Sequence, residues 1–179
     1  MTFVKKFYIA DTHLLHARLL EIQPRAFGSI EEHDEKIIAN WNSVVGDKDI
    51  VYHLGDFAFQ LGVQAEKVRW YFSRLKGRKH LIIGNHDLDE DGNLHPTIAS
   101  LDWAEPPQFM KFTNDGGKKL ILCHYAIREW QGYHKGAYHF YGHSHGKLPG
   151  AGLSRDVGCD VPDVNFTPKT YEQLTIGMK

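Results

Sequence analysis

The sequence predicts an α/β protein built on a pair of β-sheets flanked by helices. Two observations carry this. The first half alternates short apolar runs with helical patterns, which implies parallel strand pairing. The second half is mostly consecutive apolar runs, which implies antiparallel pairing. At 179 residues one domain, 1–179, has chain enough for a sizeable core.

Strands are expected at Phe3–Ala10, Ile50–Leu54, His80–Ile83, Gln108–Phe112, Lys119–His124, Ala137–Tyr141, Asp156–Cys159 and Tyr171–Ile176. They are short, and several are rich in Val, Ile, Tyr and Phe. A helix is expected from Ser29, because Ser29 and Glu32 fit a capping box. Ile30, Ile37, Ile38, Trp41, Val44 and Val45 then share one helical face, and Gly46 is the expected stop. A second helix is expected over Val63–Leu75, with Val68, Tyr71, Phe72 and Leu75 as its stripe and Gly77 beyond it. Asn114-Asp115-Gly116-Gly117 is a hairpin signal.

Composition excludes several classes. The apolar fraction is 42% and the charged fraction 24%, as in an ordinary globular protein. A net charge of −1 is no footprint of a general polyanion-binding surface, so no strong nucleic-acid surface is expected. Two cysteines, Cys123 and Cys159, suit neither a disulfide scaffold nor a C-x-x-C zinc site. The absence of a secretory apolar segment and of any run near the ~20 residues of a membrane span points to a cytoplasmic protein without membrane contact. The 12 histidines are the compositional oddity, and a metal site would use several of them.

Five short clusters of ligand-type residues follow expected strands: Asp11-Thr12-His13, Gly55-Asp56, Gly84-Asn85-His86-Asp87, His124, and Gly142-His143-Ser144-His145. Ligands in open α/β sheets collect beyond the carboxyl ends of strands. Asp11 and His13 are two apart, which on an extended strand points both to one face. Asp56 has two oxygens with which to bridge two cations, and Gly55 permits close backbone approach. Asn85 offers a neutral carbonyl oxygen. His86 suits a general acid, with Asp87 accepting its other N–H. His143 and His145 are spaced to face one site. Taken singly, each cluster also fits a polar turn or a hydrogen-bonded histidine. Together they supply ligands for two metal ions, and two adjacent ions with a shared carboxylate suit phosphate-ester hydrolysis.

The ordered set D-x-H, G-D, G-N-H-D, lone H and G-H-x-H resembles the calcineurin-like metallophosphoesterase superfamily. The segments Asp49–Ala58, Pro24–Phe27 and Val157–Val161 look like small bacterial and phage members, so the likeness runs along most of the chain. The resemblance implies an α/β sandwich of two mixed β-sheets with flanking helices, a metallophosphoesterase-like four-layer fold, and a dinuclear centre with a bridging hydroxide. Asp11, His13 and His145 would hold one metal, Asn85, His124 and His143 the other, with Asp56 shared. His86 would be the general acid, partnered by Asp87. Manganese is favoured by the resemblance, and the N/O ligand set also suits Fe, Zn, Ni or Co. His16 looks like a histidine of the small subfamily, a substrate contact or a packing residue. His53 and His139 lie inside strands and are expected to be structural.

One departure is informative. The second motif continues Phe57-Ala58-Phe59-Gln60 and lacks the D-R-G of phosphoprotein phosphatases and dinucleoside polyphosphate hydrolases. That leans toward a phosphodiesterase acting on nucleotide or other small diesters. The alternatives are a phosphomonoesterase and a non-catalytic metal-binding scaffold. Arg25 and Arg128 are candidate phosphate contacts. Trp130 and Tyr133 fit either base stacking or the core, and Tyr138 and Tyr141 fit the core better.

Overall fold

The computed structural model describes residues 3–23 and 25–178; Pro24, part of the Pro24–Phe27 segment noted above, lies outside them. Its order is β1 (Lys6–Ile9), α1 (Leu19–Ile22), α2 (Ile30–Val44), β2 (Ile50–His53), α3 (Ala65–Arg74), β3 (Arg78–Leu81), α4 (Pro96–Ala99), β4 (Met110–Asp115), β5 (Lys118–Cys123), β6 (Tyr138–Tyr141), β7 (Ser154–Asp156), β8 (Lys169–Thr170) and α5 (Tyr171–Leu174). Two four-stranded mixed sheets result, ordered β3-β2-β1-β8 and β4-β5-β6-β7.

In the first sheet β1, β2 and β3 are parallel, as the alternation of strand and helix requires, and β8 closes the edge antiparallel to β1. The second sheet differs from expectation. β4 and β5 form an antiparallel hairpin, but β5, β6 and β7 are parallel. The long connections 124–137 and 142–153 carry the chain back across the sheet, as parallel neighbours demand. The consequence is functional. Parallel β5 and β6 deliver His124 and the His143–His145 loop to the same edge.

The sheets meet through aromatic side chains. Tyr8 of β1 stacks on Tyr52 of β2 (5.6 Å between ring centres) and meets Phe140 of β6 edge-on at 5.2 Å. α2 buries Ile37, Ile38 and Trp41 in the same core, and α3 buries Val68, Tyr71 and Phe72. At the start of α2, Ser29 Oγ accepts from the Glu32 N–H, while the Glu32 carboxylate reaches one residue further back, to the Gly28 N–H.

Several expected boundaries move. Phe3–Val4 are exposed and unpaired in the sheet, so β1 begins at Lys6. Gln108 makes a single bridge to Ile82, so β4 starts at Met110 and runs to Asp115. The hairpin loop is then Gly116-Gly117, both with positive φ. β7 covers Ser154–Asp156; its continuation Val157–Cys159 brackets Ala10 with main-chain hydrogen bonds and so joins the two sheets. Tyr171–Ile176 is not a strand. Thr170 and Gln173 form a capping box, which starts α5 at Tyr171. No helix among the described residues is long and apolar enough to cross a membrane.

Candidate metal centre

All five clusters lie at the carboxyl ends of β1, β2, β3, β5 and β6. The local backbone is not extended strand. Asp11, His13, Asp56, His143 and His145 all have φ between 46° and 67°. The Asp11/His13 pair therefore converges through two left-handed residues, not through strand alternation. Such residues cost on the order of 1–3 kcal/mol each unless the surroundings hold them.

Two buried charges do the holding. Asp87 Oδ2 accepts from the N–H groups of Asp56 (3.0 Å) and Gly84 (2.8 Å), and Oδ1 from Phe57 (3.0 Å). The expectation that Asp87 orients the His86 ring is thus corrected. Its oxygens are committed to the main chain of the Asp56 loop. Arg25 holds the other loop by its carbonyls, donating to Asp11 O (2.7 Å) and Thr12 O (3.2 Å). Its remaining donors go to Asp160 (2.7 Å twice) and His33 Nε2 (2.8 Å). All five guanidinium N–H groups are used. Arg25 is buried and has none left for a phosphate, which corrects its expected role as a substrate contact.

Glycine at two positions lets the loops close. A Cβ on Gly55 would stand 2.7 Å from Gly84 Cα, and one on Gly84 would strike the Asp56 carboxylate. Gly55 also has φ +93°.

The side chains then gather. Asp56 Oδ1 accepts from the His86 N–H, and Oδ2 lies 3.5 Å from both His13 Nε2 and His124 Nε2. Three overlapping groups have ligand atoms within 4.8 Å of one another: Asp11, His13 and His145; His13, Asp56 and His86; Asp56, His124 and His143. Asn85 Oδ1 is 3.2 Å from His124 Nε2. Two atoms bound ~2.1 Å from one ion are ~3.0–3.4 Å apart at ordinary bond angles. The observed spacings suit that geometry.

Three observations test whether these residues fit a cation. Asp11 Oδ2 and both ring nitrogens of His13 are buried without a hydrogen-bond partner among the described residues. Buried polar atoms rarely go unsatisfied. His124 Nδ1 donates to Leu54 O at 2.7 Å and His145 Nδ1 to Asp160 Oδ2 at 2.6 Å, so each Nε2 faces the cluster and offers its lone pair once its proton is displaced. Finally, burial pushes the Asp11 carboxyl up to about 7, so a nearby positive charge would relieve it. The residues fit divalent cations.

The electrostatics divide the histidines. Burial lowers His13 well below its ordinary range and takes His53 down to about 3. Burial also opposes charge on His124, but the Asp56 carboxylate overrides it and carries His124 up to about 9. His124 and His13, together with the His86 N–H, outweigh burial at Asp56 and keep its carboxyl well below the usual range.

The other expected contacts are spread out. His16 is buried at the rim, stacked on Phe59 at 3.8 Å with its Nδ1 unpartnered, and burial lowers it to about 4. Arg128 is exposed beside a cavity of ≈ 370 Å³ that Trp130, Tyr133 and Tyr141 also line. Tyr141 and Trp130 are buried, whereas Tyr133 is exposed. His53 donates to Thr12 Oγ1, and His139 bridges Ile121 O and the Ile127 N–H, so both are structural. Sequence reasoning missed Asp160, His33 and Asp34 as parts of the site. The available signal was the likeness around Val157–Val161 and two polar residues on the buried face of α2.

Comparison with known proteins agrees. The calcineurin-like phosphoesterase model matches residues 7–147. An uncharacterised protein of Methanocaldococcus jannaschii is 42% identical over 87 residues, 49% of each chain. The Gene 66 protein of Mycobacterium phage L5 is 42% identical over 81 residues, 45% of this chain and 38% of its own. The chain thus spans about half or less of the length of these relatives. In fold it is similar to a protein of unknown function from Aquifex aeolicus, with a TM-score of 0.72 and 20% identity over 97% of this chain and 99% of that one. The motif loops around the metal centre fall within the matched residues, and the chain belongs to the calcineurin-like phosphoesterase family.

Proposed function

We propose that this chain is a metal-dependent phosphodiesterase that hydrolyses small phosphodiesters, nucleotide diesters among them, at a centre of two divalent cations. The carrying observation is Asp56 Oδ2, placed 3.5 Å from His13 and from His124, where the two ligand groups meet. Asp11, His13 and His145 would hold an inner ion, Asn85, His124 and His143 an outer one, and Asp56 both. Two such ions, manganese by family likeness, supply a water of near-neutral pKa and offset charge on the phosphate oxygens.

The chain's own residues do the rest. His86 stands beside the centre, its ring 5.2 Å from that of His13 and its backbone N–H bound to Asp56. There it gives a proton to the departing oxygen, a step typically worth ~10²–10⁴-fold. His16 and Phe59 wall the same side and exclude water from it. Beyond His86 a ≈ 530 Å³ cavity is walled by Asp89, Glu90 and Asp91, which disfavours a second phosphate on the leaving group.

Preference for diesters follows from charge. A terminal monoester is a dianion and calls for an extra cationic clamp. Arg25, the buried arginine at the centre, has spent every donor elsewhere. A diester monoanion needs no such clamp.

The test is hydrolysis of bis-p-nitrophenyl phosphate beside p-nitrophenyl phosphate by metal-stripped protein titrated with Mn²⁺, with Asp56→Asn as control. Diester preference, lost in the variant, is expected. Monoester preference replaces this reading with a phosphomonoesterase. No turnover with Mn, Fe, Zn, Ni or Co replaces it with a metal-binding scaffold.

A further inference from the structure

A chain of buried polar and charged groups leads from helix α2 to the inner ligands. Asp34 Oδ1 is 2.8 Å from His33 Nδ1, and His33 Nε2 is 2.8 Å from an Arg25 nitrogen. Arg25 grips both oxygens of Asp160 at 2.7 Å, and Asp160 Oδ2 is 2.6 Å from His145 Nδ1. His33, Asp34 and Arg25 are buried, and the Asp160 side chain is 9% exposed.

Arginine fixes the direction of every bond. It only donates. His33 Nε2 must therefore accept, so the His33 proton sits on Nδ1 and is given to Asp34. At the other end Asp160, held ionised by the guanidinium fork, accepts from His145 Nδ1–H. That leaves the His145 Nε2 lone pair for the centre. The same elements hold the loop. Arg25 binds the carbonyls of Asp11 and Thr12, and Asp34 Oδ2 accepts from the N–H of Leu15, another left-handed residue.

We propose that Arg25 and Asp160 are positioning residues for the inner cation alone, Asp160 by fixing the tautomer and direction of His145 and Arg25 by fixing Asp160 and the Asp11–His13 loop. Among the described residues the outer ligands are held by fewer side chains. His124 is braced by the Leu54 carbonyl, the His143 N–H donates to Asp11 Oδ1 at 2.9 Å, and the His143 and Asn85 side chains are exposed. The inner ion then binds first and more tightly. This rests on Asp11, His13 and His145 being ligands, and not on which ester is hydrolysed.

The experiment is calorimetric titration of metal-stripped wild type, Asp160→Asn and Arg25→Lys with Mn²⁺, beside melting of each metal-free protein. In Asp160→Asn the first affinity is expected to fall ~10–100-fold. The second should hold within about 2-fold, while the metal-free variant melts below wild type because buried Arg25 loses its charged partner. Arg25→Lys keeps the charge but loses the fork, and the same selective loss is expected. Where it fails to fold, Asp160→Asn decides alone. Selective loss supports the inference even where wild type hydrolyses neither ester, so the two readings fail separately. Equal loss at both positions, no loss at either, or a wild type that binds no Mn²⁺ overturns it.

Discussion

The two proposed halves of the candidate metal centre are built from similar side chains and differ in what stands behind them. Asp11 and His13 are buried, and with His145 they are backed by a cation and three carboxyl- or imidazole-bearing residues. Asn85 and His143 are exposed, and the one buried ligand of that half, His124, leans on a main-chain carbonyl. A backed, enclosed half suits retention of an ion. An open half suits an ion whose partners change as substrate oxygens arrive and leave. The difference also teaches where strain is tolerated. The left-handed residues of the inner loop are pinned at Asp11, Thr12 and Leu15, and that of the shared loop at Asp56, by buried, hydrogen-bonded side chains.

The largest expected effect comes from removing what the halves share. Asp56→Asn withdraws the common charge, and kcat/KM is expected to fall by roughly 10³-fold or more without rescue by excess Mn²⁺. Full rescue would mean that the halves do not depend on Asp56. Next is His86, proposed as the acid and not as a ligand of either half. His86→Ala should slow esters of poor leaving groups by ~10²-fold or more and nitrophenyl esters far less, with both Mn²⁺ affinities kept. Equal losses on both esters would remove the acid role. Asp87 supports the shared loop, so its loss should not discriminate between halves. Asp87→Ala leaves buried N–H groups unpaired and should cost about 2–4 kcal/mol, a drop in Tm on the order of 5–10 °C by calorimetry. An unchanged Tm would contradict the bracing role.

The smallest effect separates the halves by pH. In the metal-free protein Asp11 titrates at about 7, raised by burial, and His124 at about 9, raised by Asp56 against burial. Both protonated forms compete with a cation. Affinity should therefore rise with pH for both positions, by up to roughly tenfold per unit below the governing pKa. The inner rise is governed by Asp11 and by His145, which burial lowers but Asp160 and Asp11 raise, and it should flatten before the outer one, which continues toward 9. Titrations from pH 6 to 9 read this directly, and parallel curves would count against it.

Much of the centre was legible because the ligand residues are chemically distinctive and each follows an apolar run. The structure brings all seven expected ligands together, with His86 beside them. What the sequence hid is mostly non-local. The direction of β6 depends on how residues 124–137 cross the sheet, which residue pattern does not encode. Asp87 looked like a partner of its neighbour His86, yet its true partners include amides some thirty positions earlier. Arg25 looked available, and only the fold shows Asp160 and His33 consuming its donors. The Tyr171–Ile176 error was local and avoidable, since Thr170-x-x-Gln173 is a helix signal that outweighs the β-propensity of Tyr and Ile.

The most direct test of a two-ion centre with unequal halves is activity followed against bound Mn²⁺ per chain, on bis-p-nitrophenyl phosphate with metal-stripped wild type. Hydrolysis is expected to remain low until about one ion per chain is bound, and to rise as the second, weaker ion loads. Full activity at one ion per chain, or none at two, would contradict it.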